Sequence, residues 1–246
     1  MKNEYDDEHF FNEYAQMTRS REGLAGAGEW HQFRRMFPPL EGSRVLDLGC
    51  GYGWHCKYAR DHGAVRVLGT DISEKMLEAA RLRNAGPGIE YRCAAMEELD
   101  FPEDSFDIVL SSLAFHYVRD FPQMVSRIAR WLTPGGSFVF SVEHPVFTAY
   151  GSQDWYYDEN GKILHFPVDN YYYEGYREAI FLGEKVGKYH RTLTTYLNTL
   201  LEKGFRLVHV VEPQPPAEML SLPGMRDEMR RPMMLLVSAV KKGAEG

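Results

Sequence analysis

Three glycines at alternate positions follow an aspartate in the stretch VLDLGCGYG, which spans residues 45–53. Asp47 precedes Gly49 by two residues, and Gly51 and Gly53 complete the spacing G-x-G-x-G. Glycine permits positive φ angles and lets a ligand approach the main chain closely. A helix that begins after such a turn adds the partial positive charge of its N-terminus. The stretch therefore predicts a cradle for an anionic or polar ligand, with a carboxylate beside it.

Short apolar runs alternate with helical patterns along the chain, as in a parallel sheet covered by helices. We predict strands at residues 44–48, 65–71, 89–93, 106–112, 137–142, 206–211 and 233–240. We predict helices at residues 54–62, 74–84, 121–132 and 190–203. Ser73 is the expected N-cap of the second helix and Gly204 follows the last one. The predicted fold is α/β and doubly wound (Rossmann-like), with seven mostly parallel strands, helices on both faces and the last strand antiparallel.

The chain has 246 residues, enough for one α/β domain with an insertion. We predict a single domain over residues 1–246, in which residues 1–40 form a helical cap against the sheet. Between residues 150 and 190, 11 of 41 residues are aromatic. This insertion, 150–189, follows the fifth predicted strand, at the sheet edge where open α/β folds bind ligands. It is either an aromatic mini-core or a lid over the substrate, and the two interpretations are compatible.

The composition limits the classes of partner. The formal net charge is −7, which does not favour nucleic acid. No apolar run approaches the roughly 20 residues that span a bilayer, and the acidic N-terminus is not a signal peptide. Three cysteines at irregular spacing form neither a disulfide framework nor a zinc pattern. We expect a cytoplasmic monomer or homodimer that uses no metal and binds neither nucleic acid nor membranes.

Four motifs resemble one enzyme family. The dinucleotide pattern G-x-G-x-x-G needs a third glycine where this chain has Trp54 or Cys56, so neither register fits. Residues 47–53, DLGCGYG, instead resemble the first motif of the class I S-adenosylmethionine-dependent methyltransferases. The resemblance continues, in order, through VLGTD at 67–71, FDIVLSS at 106–112 and LTPGG at 132–136.

The resemblance implies S-adenosyl-L-methionine as cofactor and S-adenosyl-L-homocysteine as product. Asp47 would accept a hydrogen bond from the cofactor's ammonium, and Asp71 would accept from the ribose hydroxyls, as a carboxylate does in dinucleotide folds. The other residues expected around the cofactor are Tyr14, Gly49, Cys50, Gly51, Ile72, Met96, Glu97, Ser111 and Leu113. Many relatives have an aspartate where this chain has Ala95. Met96, Glu97 or a backbone carbonyl is therefore expected to hold the adenine.

Methyl transfer from a sulfonium is an in-line displacement, in which proximity and orientation supply much of the catalysis. A general base is needed only if the acceptor must lose a proton. The candidate catalytic residues, which follow the fourth and fifth predicted strands, are His116, Glu143 and His144. The candidate substrate-binding residues are Tyr150, His190 and Arg191. Each has a structural alternative as a packing, capping or solvated residue. The arginines expected to be solvated are Arg226, Arg230 and Arg231.

We weigh three functions. The first is methyl transfer to a small organic acceptor, favoured by the aromatic insertion and by the absence of an Asn/Asp-Pro-Pro-aromatic motif or an appended RNA-binding module. The alternative is a catalytically silent S-adenosylmethionine-binding domain that serves as a regulator or partner. Retention of His116, Glu143 and His144 favours the enzyme. A nicotinamide-dependent oxidoreductase is disfavoured by the glycine spacing.

Overall fold

A computed structural model describes residues 4–243. The strands of its central sheet are β1 Arg44–Leu48, β2 Arg66–Asp71, β3 Ile89–Cys93, β4 Phe106–Ser112, β5 Leu132–Glu143, β10 Phe205–Val211 and β11 Met234–Lys241, and the four strands between β5 and β10 lie in the insertion. The strand order in the sheet is β10-β11-β5-β4-β1-β2-β3. The pairs among β1 to β5 are parallel, whereas β11 runs antiparallel to both β5 and β10. The predicted seven-stranded sheet with an antiparallel last strand is therefore confirmed.

Among residues 4–243, eight α-helices accompany the sheet. They are α1 Glu8–Gln16, α2 Thr18–Arg21, α3 Trp30–Phe33, α4 Trp54–Asp61, α5 Glu74–Arg83, α6 Phe121–Trp131, α7 Pro145–Ala149 and α8 Leu193–Glu202. Ser73 caps α5 as predicted, because its hydroxyl accepts a hydrogen bond from the Met76 backbone N–H at 3.1 Å. Gly204 follows α8 with φ +83°. None of these helices is both long and apolar enough to cross a bilayer.

Both faces of the sheet are covered, because successive side chains of a strand point to opposite faces. On β1, Leu46 packs in one core cluster with Trp131 of α6. Its neighbour Val45 packs in a second cluster with Cys56 of α4. By this alternation Asp47 lies on the α4 face of the sheet, where it is 1% exposed. The sequence thus places a carboxylate in a core position at the end of β1.

The insertion is not a single long loop. It contains two antiparallel hairpins, β6 Tyr156–Tyr157 with β7 Ile163–His165 and β8 Gly175–Phe181 with β9 Glu184–His190. Strands β8 and β9 were not predicted, because the aromatic-rich composition of the insertion obscures their alternating pattern.

The start of the last predicted helix is wrong by three residues. His190 ends β9, and α8 begins at Leu193. Thr192 is the N-cap, since its hydroxyl accepts a hydrogen bond from the Thr195 backbone N–H at 3.2 Å. His190 is consequently a strand residue that faces the protein interior.

The N-terminal segment lies against the end of the sheet. Asp6, in a short 3₁₀ turn before α1, accepts hydrogen bonds from the Ser73 hydroxyl at 2.7 Å and from the Lys75 backbone N–H at 3.3 Å. Arg19 and Glu29 join α2 to the start of α3 through a partly buried ion pair. These contacts hold the segment across the carboxyl end of β2.

Candidate active site

The glycine loop after β1 turns its backbone N–H groups inward. Gly49 and Cys50 both donate to the carbonyl oxygen of Thr70, at 2.8 and 2.9 Å. Gly51 donates to Oδ2 of Asp71 at 2.8 Å. The end of β2 accepts all three of these N–H groups, so they are not available to an anion. Of the anionic or polar ligand that the sequence predicted, the polar alternative is favoured at these residues. The loop suits a ligand that is neutral or positive where it meets these residues.

Different structural constraints favour glycine at the three positions of the loop. Their φ angles are +71°, +52° and +74°, in the left-handed region. A Cβ atom on Gly49 would lie 2.5 Å from the Cβ of Ala114, and one on Gly53 would lie 2.2 Å from the hydroxyl of Tyr91. A Cβ atom on Gly51 would meet no atom within 4 Å. Packing therefore requires the outer two glycines, whereas Gly51 borders an open space against which a ligand can lie.

Two carboxylates, one buried at Asp47 and one partly buried at Asp71, give the loop a negative character. Burial raises the pKa of Asp47 to about 7, and the nearby charge of Asp71 adds to this rise. The Cys56 thiol donates a hydrogen bond to Asp47 at 3.3 Å, and this bond lowers the pKa and so opposes the rise. Burial also raises the pKa of Asp71. Hydrogen bonds from the backbone N–H groups of Ser73 and Gly51 oppose this rise. A cation bound here would stabilise both ionised carboxylates.

Apolar side chains surround the open space at the ends of β2, β3 and β4. Ile72 is 48% exposed, directly after Asp71. The terminal methyl of Met96 lies 3.1 Å from the position of a Cβ on Gly49. Leu113 has φ +53°, and its N–H donates to the carbonyl of Ser141 at 2.9 Å. A bulky residue in this conformation carries strain of about 1–3 kcal/mol, which the surrounding structure must impose.

Three other predicted cofactor residues do not direct their side chains into this space. The Ser111 hydroxyl is fully buried and donates to the Leu48 carbonyl at 2.8 Å. The sulfur of Cys50 lies 2.9 Å from the position of a Cβ on Gly69, so it packs against the sheet. Glu97 is exposed on a 3₁₀ turn, and its carbonyl accepts a hydrogen bond from Arg127. For Ser111 and Cys50, contact with a ligand would be through the backbone.

A group of tyrosines covers the Asp71 side of the loop. The ring of Tyr14 packs edge-on against Tyr5 and Tyr52, with centroid distances of 5.4 and 5.9 Å. The hydroxyls of Tyr5 and Tyr117 are 3.1 Å apart. Burial raises the pKa of both Tyr5 and Tyr14, and the charge of Asp71 contributes to each rise. Sequence reasoning selected Tyr14 but missed Tyr5, which no local motif singles out.

A closed polar cluster lies where β5 ends. The carboxylate of Glu143 accepts from Lys188 Nζ at 2.7 Å and from Gln153 Nε2 at 2.6 Å. Lys188 also donates to the amide oxygen of Gln153 at 2.8 Å. The side chains of Lys188 and Glu143 are 3% and 13% exposed. Burial opposes ionisation, but the charges of His116 and Lys188 hold the pKa of Glu143 below its ordinary value. Glu143 is therefore ionised and paired, which makes it a weak base.

His116 adjoins this cluster from the loop after β4. Its Nδ1 accepts a hydrogen bond from the Glu143 backbone N–H at 3.4 Å, and its ring packs against Tyr117 at 4.4 Å. Burial lowers the pKa of His116 to about 4, although the charge of Glu143 acts in the opposite direction. His116 is thus neutral at pH 7, and the hydrogen bond to Nδ1 assigns the proton to Nε2.

His144 contacts a different part of the fold from Glu143. Its Nδ1 accepts from the Val146 backbone N–H at 3.1 Å, which caps α7. Its Nε2 lies 2.9 Å from a carboxylate oxygen of Glu212, beyond β10. Burial lowers the pKa of His144. The two neighbours predicted as a catalytic pair therefore have separate partners.

The predicted substrate residues His190 and Arg191 have internal partners instead. His190 contacts the Thr148 hydroxyl at 2.7 Å through Nδ1 and the Tyr171 carbonyl at 2.8 Å through Nε2. The buried guanidinium of Arg191 donates to the carbonyls of Phe115, Val118 and Arg119. Both side chains thus fasten β9 to the domain. Tyr150, the third candidate, is 42% exposed after α7.

Residues 46–140 match the family model described as a methyltransferase domain. A structurally determined Listeria monocytogenes protein, assigned to the S-adenosylmethionine-dependent methyltransferases, is 53% identical over 89% of this chain and 99% of its own, with TM-score 0.86. This chain belongs to the class I S-adenosylmethionine-dependent methyltransferases. A methyltransferase of this class from Mesorhizobium loti is 45% identical over 89% of this chain and all of its own, with TM-score 0.82. An uncharacterized Haemophilus influenzae protein is 31% identical over 96% of each chain.

S-adenosylmethionine fits the residues of this methyltransferase's glycine loop. The open space beside Gly51 admits a ligand, and the N–H groups of residues 49–51 are bonded to β2 rather than offered to a phosphate. The ammonium and sulfonium of the cofactor match the negative character of Asp47 and Asp71. Each carboxylate oxygen of Asp71 accepts one backbone N–H and retains a lone pair for a ribose hydroxyl.

Proposed function

We propose that this methyltransferase acts on a small organic acceptor, in a cleft between the glycine loop, the loop after β4 and the insertion. The observation that carries the proposal is the enclosure of the polar cluster of His116, Glu143 and Lys188. Strand β9 contributes Lys188, which is 3% exposed, and Tyr5 from the N-terminal segment contacts Tyr117. Such enclosure favours a small molecule over a macromolecular surface.

The cofactor roles follow from the chemistry of each residue. Asp47 would hold the ammonium and Asp71 the ribose hydroxyls, while Ile72, Met96 and Leu113 would contact the adenine and the methionine chain. The bound cofactor supplies an activated methyl group. The protein's own contribution is to orient the acceptor in line with it and to exclude water.

His116 is proposed to orient the acceptor through its Nε2–H. Since burial lowers the pKa of His116 to about 4, its neutral ring is a weak proton acceptor at pH 7. Glu143 is paired with Lys188 and is proposed to hold the insertion in position. His144, which caps α7, is proposed to have a structural role. Catalysis would then depend mainly on orientation.

The test is calorimetric titration of S-adenosylhomocysteine into the full chain and two variants. We expect micromolar binding to the wild type and at least tenfold weaker binding to Asp71→Ala. Asp104→Ala is the matched control, because this aspartate pairs with Lys241 in the described structure, away from the glycine loop, and affinity should not change. Absence of binding to a folded wild type would refute the cofactor assignment.

The acceptor class is tested by turnover. Release of S-adenosylhomocysteine is measured with panels of small organic molecules, RNA and proteins. We expect stimulated release with members of the small-molecule panel alone. Stimulation only by a macromolecule would refute the proposed acceptor class, even if the cofactor assignment holds.

A further inference from the structure

A cavity of about 310 Å³ lies between α7, the first hairpin of the insertion and the connection before β11. Its lining residues are Val146, Trp155, His165, Phe166, Val168, Arg230, Arg231 and Pro232. None of them belongs to the glycine loop or to the polar cluster at the end of β5. The volume is at the lower end of the range for small-molecule sites.

Arg231 is the central residue of this cavity. Its guanidinium carbon lies 4.7 Å from the ring centroid of Phe147 and 5.0 Å from those of Trp155 and Phe166. The side chain is 7% exposed, so the expectation that Arg231 is solvated is wrong. Sequence reasoning missed it because its aromatic neighbours come from α7 and the insertion, more than 60 residues earlier.

One polar atom of Arg231 lacks a partner. The two terminal nitrogens donate to the carboxylate of Glu228, at 2.7 and 3.1 Å. The Nε atom is buried without a hydrogen-bond partner among residues 4–243. A buried unsatisfied donor costs about 1–3 kcal/mol. A ligand oxygen that reaches Nε from the cavity would relieve this cost.

We propose that the cavity binds a planar aromatic molecule that carries a carbonyl or carboxylate oxygen. The rings of Trp155 and Phe166 supply flat walls, and Val168 and Pro232 are apolar. The guanidinium carbon of Arg230 lies 5.1 Å from the Trp155 centroid, so two arginines border the ligand. The terminal nitrogens of Arg230 already donate to Asp227 at 3.0 Å and to the Leu164 carbonyl at 2.7 Å, so the buried donor that remains for a ligand oxygen is Nε of Arg231. Neither arginine offers an acceptor to an ammonium group.

The first experiment measures ligand class by calorimetry on the full chain at pH 7.5. The probes are 2-naphthoate, the neutral ketone 2-acetonaphthone and the cation 2-naphthylmethylammonium. We expect saturable, submillimolar binding of the naphthoate, the ketone or both, and at least tenfold weaker binding of the ammonium. Preference between the first two distinguishes a carboxylate ligand from a carbonyl ligand. Equal binding of the ammonium, or no saturable binding of the other two below millimolar concentration, would overturn the proposal.

Variants locate the probe in the cavity. Arg231→Gln removes the unpartnered donor, and Val168→Glu places a negative charge at a half-exposed wall position where folding is little affected. We expect both to weaken naphthoate or ketone binding at least tenfold. Arg226→Gln is the matched control, because Arg226 is exposed on the same connection, and it should bind as the wild type does. Binding that survives both wall variants would overturn the proposal.

The cofactor site is tested separately. S-adenosylhomocysteine should bind Val168→Glu and the wild type equally, and it should not displace the probe. Probe binding that is lost in Asp71→Ala, or that competes with S-adenosylhomocysteine, would place the probe at the glycine loop and refute the second site. Failure of this inference is therefore distinguishable from failure of the proposed function.

Discussion

The carboxylate of Asp71 joins the end of β2 to the glycine loop, because its Oδ2 accepts a hydrogen bond from the backbone nitrogen of Gly51 at 2.8 Å. The other oxygen accepts from the Ser73 backbone N–H at 2.9 Å. One side chain thus fixes the loop after β1 relative to the start of α5. The open space beside Gly51 is consequently bounded by contacts within the protein.

Gly51→Ala should impair cofactor binding by filling the open space beside the loop. Its matched control is Gly42→Ala, since Gly42 also has a left-handed φ, +71°, and a Cβ atom added there would meet no atom within 4 Å. Both variants should lose about 1–2 kcal/mol of unfolding free energy through backbone strain. Calorimetry should find S-adenosylhomocysteine affinity reduced at least tenfold in Gly51→Ala alone. Equal affinities in the two variants would contradict this assignment.

Affinity for S-adenosylhomocysteine should rise with pH through 7. In the proposed site the cofactor's ammonium would bind the ionised form of Asp47, whose pKa burial raises to about 7. Each pH unit below that value should weaken this contribution by up to about tenfold. Titrations between pH 5.5 and 8.5 measure the profile. Asp47→Asn should bind more weakly and give a flatter profile, and an unchanged slope in this variant would argue against Asp47 as the titrating group.

The raised pKa of Asp47 also predicts how the stability of the ligand-free protein changes with pH. Between about pH 4 and 7 the folded state binds more protons at Asp47 than the unfolded state does, because the folded pKa is the higher one. The contribution of Asp47 to stability therefore falls as pH rises through this window. Denaturant unfolding at pH 8 should find Asp47→Asn more stable than the wild type by about 1–3 kcal/mol. A variant less stable than the wild type at pH 8 would be inconsistent with the shift.

Single and double substitutions of the Glu143–Lys188 pair should lower the free energy of unfolding by amounts that do not add. Removing one member of a buried ion pair leaves an unpaired charge and costs about 3–5 kcal/mol. Replacing both members with Glu143→Gln and Lys188→Met should cost less than the sum of the single changes. Chemical denaturation of the four proteins gives the coupling energy. Additive costs would mean that the pair contributes no mutual stabilisation.

His116 should make the protein sensitive to acid. Its folded pKa, about 4, lies below the ordinary value of 6.5, so the unfolded state binds more protons between these limits. Stability should fall as pH decreases through this window, by up to about 1.4 kcal/mol per unit. His116→Gln should reduce the slope of unfolding free energy against pH, whereas substitution of exposed His9 by Gln should not. Identical slopes in all three proteins would exclude His116 as a source of the acid sensitivity.

Local patterns predicted the sheet because they act within a few residues. The run from Arg44 to Leu48 is mostly apolar and is followed by glycines, and the apolar spacing of α6 places Phe121, Val125 and Ile128 on one buried face. The lack of a helical pattern between β10 and β11 correctly indicated antiparallel pairing. These features need no knowledge of distant residues.

Distant contacts decided what the sequence could not predict. The direction of the Gly49 and Cys50 N–H groups depends on Thr70, on the neighbouring strand. The burial of Arg231 depends on rings of α7 and the insertion such as Phe147. His190 looked like a helix residue until its pairing with Gly175 across the hairpin was known. The candidate site was therefore predictable as a location, but not in the orientation of its groups.

The pairing of Lys188 with Glu143 also bears on how molecules enter and leave the cleft. An outward movement of the β8–β9 hairpin would separate the two charges and break the hydrogen bonds from Arg191 to its carbonyl partners. A penalty of several kcal/mol makes such an open form rare. We therefore expect the hairpin to act as a stationary wall during turnover. Exchange of cofactor and acceptor would then depend on displacement of residues 4–16, which pack against the end of β8 through Phe10 and Phe181.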